Sequence, residues 1–134
     1  MAKSCYISGQ VSKLTYRQHD DMFELLYSEI AELAKEGYIY FVFSHGGLFA
    51  DAARMAVISL KAWYPKIRTA YAKTNDEDEI ALQKKYNEVW TNLVDSYSII
   101  DNSDYCLFYD LKGDNRELEY AENTNKPYDN LACL

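Results

Sequence analysis

The sequence predicts an α/β fold in which helices cover both faces of a small, mostly parallel sheet of four to five strands. Three observations carry that prediction. Tyr38 to Phe43 and Tyr105 to Tyr109 are short, continuously apolar runs, as strands covered on both faces are. Longer stretches with apolar residues at helical spacing lie between such runs. Strand and helix therefore alternate, and alternation means parallel pairing joined by crossovers.

Taken in order, Ser4 to Gly9 reads as a first strand that ends in a glycine and enters a polar loop, Gln10 to Gln18. His19 to Lys35 carries Met22, Phe23, Leu25, Leu26, Ile30, Leu33 and Ala34 at amphipathic helical spacing, and Gly37 is its stop signal. Tyr38 to Phe43 is the second strand, Ser44-His45-Gly46-Gly47 a turn, and Leu48 to Trp63 a helix with Pro65 just beyond it. Ile67 to Ala72 is the third strand, and a helical stretch is expected from about Ile80 into Val94. Asn102-Ser103-Asp104 turns the chain into the strand Tyr105 to Tyr109. A polar loop, Asp110 to Arg116, then leads to a short helix from Glu117 to Asn123, and the tail from Lys126 supplies one last edge strand.

Composition bounds the function. The 134 residues fit one domain, 1–134, large enough to bury a core without disulfides. Fourteen Lys and Arg face 21 Asp and Glu, and the net charge of −7 argues against nucleic acid or an anionic membrane as a partner. The odd set Cys5, Cys106 and Cys133 matches no metal motif and reads as reduced, mostly buried thiols of a cytosolic protein. Neither a metal nor a cofactor is expected. No apolar stretch approaches the ~20 residues that span a bilayer, and no signal-peptide core follows Met1 to Ser4. A cytoplasmic location follows.

In parallel sheets ligands sit beyond the carboxyl ends of the strands. Three polar loops follow strands here, at Ser8 to Gln18, Ser44 to Gly47 and Asp110 to Arg116, so they should converge on one face. Gly46 and Gly47 let the backbone turn sharply and approach a ligand, or merely connect strand to helix tightly. The helix that follows would point free N–H groups at an anion. Asp51 falls one turn into that helix, where it either complements the dipole or reaches a ribose hydroxyl, and His45 is a donor or acid beside it. Asp110 ends a buried strand and faces the site. Glu117, in the first turn of the last helix, is either a dipole-stabilising charge or a carboxylate that meets an anomeric carbon or sugar hydroxyls.

Several segments occur in a familiar order: Tyr6-Ile7-Ser8-Gly9, Gly46-Gly47 with Asp51-Ala52-Ala53, Leu60 to Pro65, Asp101 to Asp110, and Glu117 to Pro127. Together they resemble the SLOG superfamily, with its YpsA-like, lonely-guy and DprA-type members. The best stretches are Ser44 to Ile67 and Ile99 to Asp110. That resemblance implies a Rossmann-like three-layer α/β/α sandwich. Glu117-Leu118-Glu119-Tyr120-Ala121 with Lys126-Pro127 also looks like the "ELGYA…GKP" stretch of the nucleoside 2-deoxyribosyltransferases. The resemblance implies that Glu117 matches their nucleophile and Tyr6 the tyrosine that positions it. Three departures stand out: Glu119 replaces the family glycine, Gly113-Asp114-Asn115 stands where SLOG proteins carry a Gly-Gly-Thr phosphate turn, and the arginine-bearing segment before the Asp101 to Asp104 turn is absent.

The expected function is binding of a nucleotide or nucleotide-derived ligand, for sensing or sequestration, with Ser8, Gly9, His45, Gly46, Gly47, Asp51, Asp110, Asp114 and Asn115 around it. The alternative is a nucleoside or nucleotide N-glycosidase or deoxyribosyltransferase with Glu117 and Tyr6 as its catalytic pair. A third reading is a protein-interaction domain with a vestigial pocket. A homodimer or higher homo-oligomer fits all three, with Trp63 or Trp90 as anchors.

Overall fold

A computed structural model describes residues 2–11, 13–74 and 77–133, the side chain of Cys133 excepted. Six strands form one sheet: β1 (Lys3–Gly9), β2 (Tyr38–Phe43), β3 (Arg68–Ala72), β4 (Glu88–Trp90), β5 (Tyr105–Tyr109) and β6 (Tyr128–Asn130). Their spatial order is β4-β3-β2-β1-β5-β6, and every neighbouring pair is parallel. Among the described residues five α-helices connect them: α1 (Tyr16–Lys35), α2 (Leu48–Leu60), α3 (Glu79–Lys85), α4 (Ser96–Asp101) and α5 (Arg116–Asn123). The chain steps outward from β1 to β4, then returns to the other side of β1 for β5 and β6. The architecture is Rossmann-like, and its switch in strand order lies between β1 and β5.

Side chains of a strand alternate between faces, and this sheet has a core on each. Cys5, Ile7, Phe41, Phe43, Tyr71 and Leu107 meet α1 and α2 on one side. Tyr6, Val42, Ala70, Ala72, Cys106 and Phe108 meet α4 and α5 on the other. Helix α1 buries Met22, Leu26, Ile30 and Leu33, spaced four, four and three apart along one stripe. Burying a side chain such as Leu26 or Ile30 contributes about 1.5–3 kcal/mol. An exposed helix pair such as Lys35 and Glu32, at 3.3 Å, contributes only about 0.3–0.5 kcal/mol. Packing of the apolar stripe therefore decides where α1 sits.

The sheet has one strand more than the four to five expected, and β4 is the reason. The helix expected from Ile80 into Val94 stops at Lys85. Asp78 caps its start through Oδ1, which accepts from the N–H groups of Ile80 and Ala81 at 3.1 and 3.3 Å. Tyr86 then turns inward against Phe43 and Tyr71, with ring centroids 5.6 and 5.0 Å away. Asn87 Oδ1 accepts from Thr69 N–H at 2.9 Å while Thr69 Oγ1 accepts from Asn87 N–H at 3.1 Å. That reciprocal clasp sets Glu88 to Trp90 beside β3.

Several boundaries differ by one to three residues from those expected, among them the end of α2 at Leu60 and the start of α5 at Arg116. Helix α1 begins at Tyr16 rather than His19, because Thr15 and Gln18 form a capping box that shortens the loop before it. The segment before the Asn102 turn contains α4, capped by Asp95 and anchored by buried Ile99 and Ile100. Cys5 and Cys106 are buried free thiols, pushed up by burial, Cys106 to about 12. The Cys133 thiol lies outside the described residues. No described helix is long and apolar enough to cross a membrane.

Candidate functional site

A cavity of about 820 Å³ opens at the carboxyl ends of β1 and β5, on the switch in strand order. Ser8 to Val11, His45 to Gly47, Tyr109 to Lys112 and Asp114 to Glu117 line it. The three strand-following loops thus converge, because parallel pairing of β1 with both β2 and β5 brings their carboxyl ends side by side. Nine of the eleven predicted site residues face this space: Ser8, Gly9, His45, Gly46, Gly47, Asp110, Asp114, Asn115 and Glu117.

Glu117 stands in the first turn of α5, and three side chains grip its carboxylate. The Tyr6 hydroxyl donates to Oε2 at 2.5 Å, and the Ser8 hydroxyl donates to Oε1 at 2.8 Å. His45 Nε2 lies 3.3 Å from Oε1. Tyr6 is fully buried beneath the cavity, so it reaches Glu117 from below. Burial pushes the Glu117 carboxyl up, but the donors His45, Tyr6 and Ser8 outweigh it and hold the group below its ordinary 4.5. Its hydrogen bond to Glu117 raises His45 above its ordinary 6.5 against the opposing effect of burial. Burial raises the Tyr6 phenol first, and the neighbouring Glu117 charge raises it further. At neutral pH the site therefore presents an ionised, oriented carboxylate beside a neutral phenol.

The Gly46-Gly47 turn leads straight into α2. Gly47 adopts φ +114, which disfavours any residue with a Cβ. As the N-cap it supplies no side-chain hydrogen bond, so the first amides of α2 keep their donor capacity beside the cavity. Helix α5 differs: Asn115 Oδ1 accepts from the N–H groups of Glu117 and Leu118 at 2.9 and 3.1 Å. Asn115 thereby aims Glu117, and its own Oδ1 is engaged in the cap. Asp110 braces the same loop, accepting from Gly113 N–H at 3.0 Å and Asn115 N–H at 3.2 Å. Asp114 stands exposed at the rim.

Asp51, expected at a ribose, lies outside the cavity wall. It faces Lys85 at 3.3 Å and Arg54 at 4.0 Å, towards α3. Trp90 packs edge-on against Tyr40, whereas Trp63 is 75% exposed.

Sequence reasoning missed six residues here. Buried Ser44 and Tyr71 with half-buried Glu77 extend the Tyr6 network, the Ser44 hydroxyl lying 2.6 Å from the Tyr6 oxygen. Tyr71 hydroxyl lies 3.0 Å from the Ser44 carbonyl and 2.6 Å from Glu77 Oε2. Lys13, Lys112 and Arg116 line the cavity, and none has an ion pair among the described residues. A signal existed only for Arg116, adjacent to Glu117. The contact between Tyr6 and Ser44 spans two strands and leaves no trace in local spacing. Among the described residues no three His, Cys, Asp or Glu stand together to hold a metal ion. No protein-family model and no curated protein matches the chain.

Proposed function

We propose that this chain binds a nucleotide or nucleotide-derived ligand in the cavity over β1 and β5, and senses or sequesters it. The observation that carries this reading is the position of the cavity at the switch in strand order, walled by the Gly46-Gly47 turn and the Asp110 to Glu117 loop. Two features favour an anionic ligand. The α2 amides behind Gly47 lack a side-chain cap, and Lys13, Lys112 and Arg116 bring cations to the wall. With a net charge of −7 on the whole chain, these local cations suit a small anion better than a polyanion. Tyr109, whose ring packs against Phe49, also lines the wall and gives it an aromatic residue. The resemblance to SLOG proteins agrees with a nucleotide-type ligand, and a homo-oligomer belongs to the same reading.

A second reading is favoured by one specific observation, the grip of Tyr6, Ser8 and His45 on Glu117. In it the chain cleaves an N-glycosidic bond. A Glu117 oxygen bonds to the anomeric carbon as the carbon–nitrogen bond breaks, and the base leaves with a proton from solvent. Water then releases the sugar, restoring the carboxylate and returning the proton.

Thermal shifts of the purified protein against nucleosides, nucleotides, NAD derivatives and cyclic nucleotides test the first reading, with chromatography of the same mixtures for released base. Stabilisation by a phosphorylated ligand, lost in Gly47→Trp, with no base released, is the expected result. Base release that Glu117→Ala abolishes would establish the second reading. Silence across the panel would overturn both and leave a protein-interaction domain.

A further inference from the structure

We propose that Ser44 is a positioning residue for Glu117, its hydroxyl donating to the Tyr6 oxygen and so fixing Tyr6 as a donor to the carboxylate. The inference rests on the reading that Glu117 is the working carboxylate of the cavity. It follows from counting hydrogens. An ionised carboxylate only accepts, and a phenol carries one proton. Tyr6 Oη lies 2.5 Å from Glu117 Oε2, so its proton must lie between them. The reverse orientation would set two acceptors face to face at that distance. Ser44 Oγ, 2.6 Å from the same phenol oxygen, must therefore be the donor.

Ser44 is built to hold that orientation. It is 2% exposed, directly after β2, between the carboxyl ends of β1 and β3. Its backbone carbonyl lies 3.0 Å from the Tyr71 hydroxyl, which is itself anchored 2.6 Å from Glu77. Tyr71 holds one proton for two acceptors, the Ser44 carbonyl and Glu77, so it anchors the Ser44 backbone only in part, and the Ser44 hydroxyl itself faces the Tyr6 oxygen. Bonds in such a chain polarise one another, and Ser44 strengthens the hydrogen bond that Tyr6 donates. The same residue roots the His45-Gly46-Gly47 turn, so one buried serine sets both the carboxylate and the opposite wall of the cavity.

The test uses the ligand-free protein and the carbon-13 signal of the Glu117 carboxyl, followed against pH. The titratable groups facing Glu117 are Tyr6 from β1, His45 from the loop after β2 and Cys106 from β5, and all three are retained in every variant. Wild type is expected to titrate below 4.5. Ser44→Ala is expected to move the midpoint up by about half a pH unit, while Ser44→Thr, which keeps the hydroxyl, restores it. An unchanged midpoint in folded Ser44→Ala, or a Ser44→Thr midpoint displaced as far as that of Ser44→Ala, would overturn the proposal. Should Ser44→Ala fail to fold, Ser44→Cys is read the same way, an upward shift supporting and no shift overturning. No nucleotide enters this experiment, so its failure is separate from a failure of the ligand panel.

Discussion

Glu117 and His45 form a pair whose two partners titrate in opposite senses. The folded-state pKa of Glu117 is depressed, so its contribution to stability is complete above 4.5 and is lost as pH falls through the lower folded value. The folded-state pKa of His45 is raised, so its contribution is complete below 6.5 and is lost as pH rises through the higher folded value. The ionic part of the contact is therefore fullest between 4.5 and 6.5. Because His45 is half exposed, solvent screens the pair and the effect is small. His45→Gln should lower the melting temperature more at pH 5.5 than at pH 8, measured by calorimetry across that range. An equal loss at both values would contradict the pairing. Of the residues involved, Glu117 was legible at a helix start and His45 in the turn after a strand, whereas Tyr6, in the middle of β1, was singled out only by the resemblance. Their convergence on one carboxylate was not derivable from spacing, since Tyr6 and Glu117 are brought together only by the β1 and β5 pairing.

Among the elements, the meeting of β1, α2 and β5 is the tightest near the cavity. A Cβ on Gly9 would stand 2.7 Å from Phe49 Cδ2 and 2.9 Å from Tyr109 Cβ, both too close. Phe49 and Tyr109 already pack with centroids 5.5 Å apart, so neither can retreat freely. Gly9→Ala should cost about 1–3 kcal/mol in a urea titration and shrink the cavity wall it belongs to, whereas wild-type stability would mean that Phe49 yields. The elements legible in the sequence were those with a long period or a continuous apolar run, such as α1 and β2. Strand β4 was hidden because only three residues pair, and its clasp to β3 depends on Asn87 meeting Thr69 across 18 residues. Helix α4 was hidden for a related reason: six residues give too few turns for a period to emerge.

For the whole molecule, the order of the strands determines where the candidate site lies. A chain that built β2, β3 and β4 on one side of β1, then β5 and β6 on the other, leaves a cleft where the direction of growth reverses. The alternation of strands and helices made the parallel sheet and the convergence of its loops predictable. The strand order was not, because it depends on which hydrophobic faces pair across the sheet. A second cavity, of about 640 Å³, lies beside α5 and β6 and is lined by Asp110, Glu119, Glu122 and Asp129. Its acidic wall repels the anion that Lys13, Lys112 and Arg116 would attract, so the two cavities make opposite predictions for one ligand. Amide chemical-shift mapping on nitrogen-15-labelled protein, titrated with nucleoside monophosphates, separates them most directly. Saturable shifts are expected at Ser8, Gly9, Gly46, Gly47 and Asn115, with Glu119 and Asp129 unmoved. Shifts centred on the acidic cavity or on the exposed Trp63, or no shifts at millimolar ligand, would contradict the claim that the cleft between β1 and β5 is a nucleotide site.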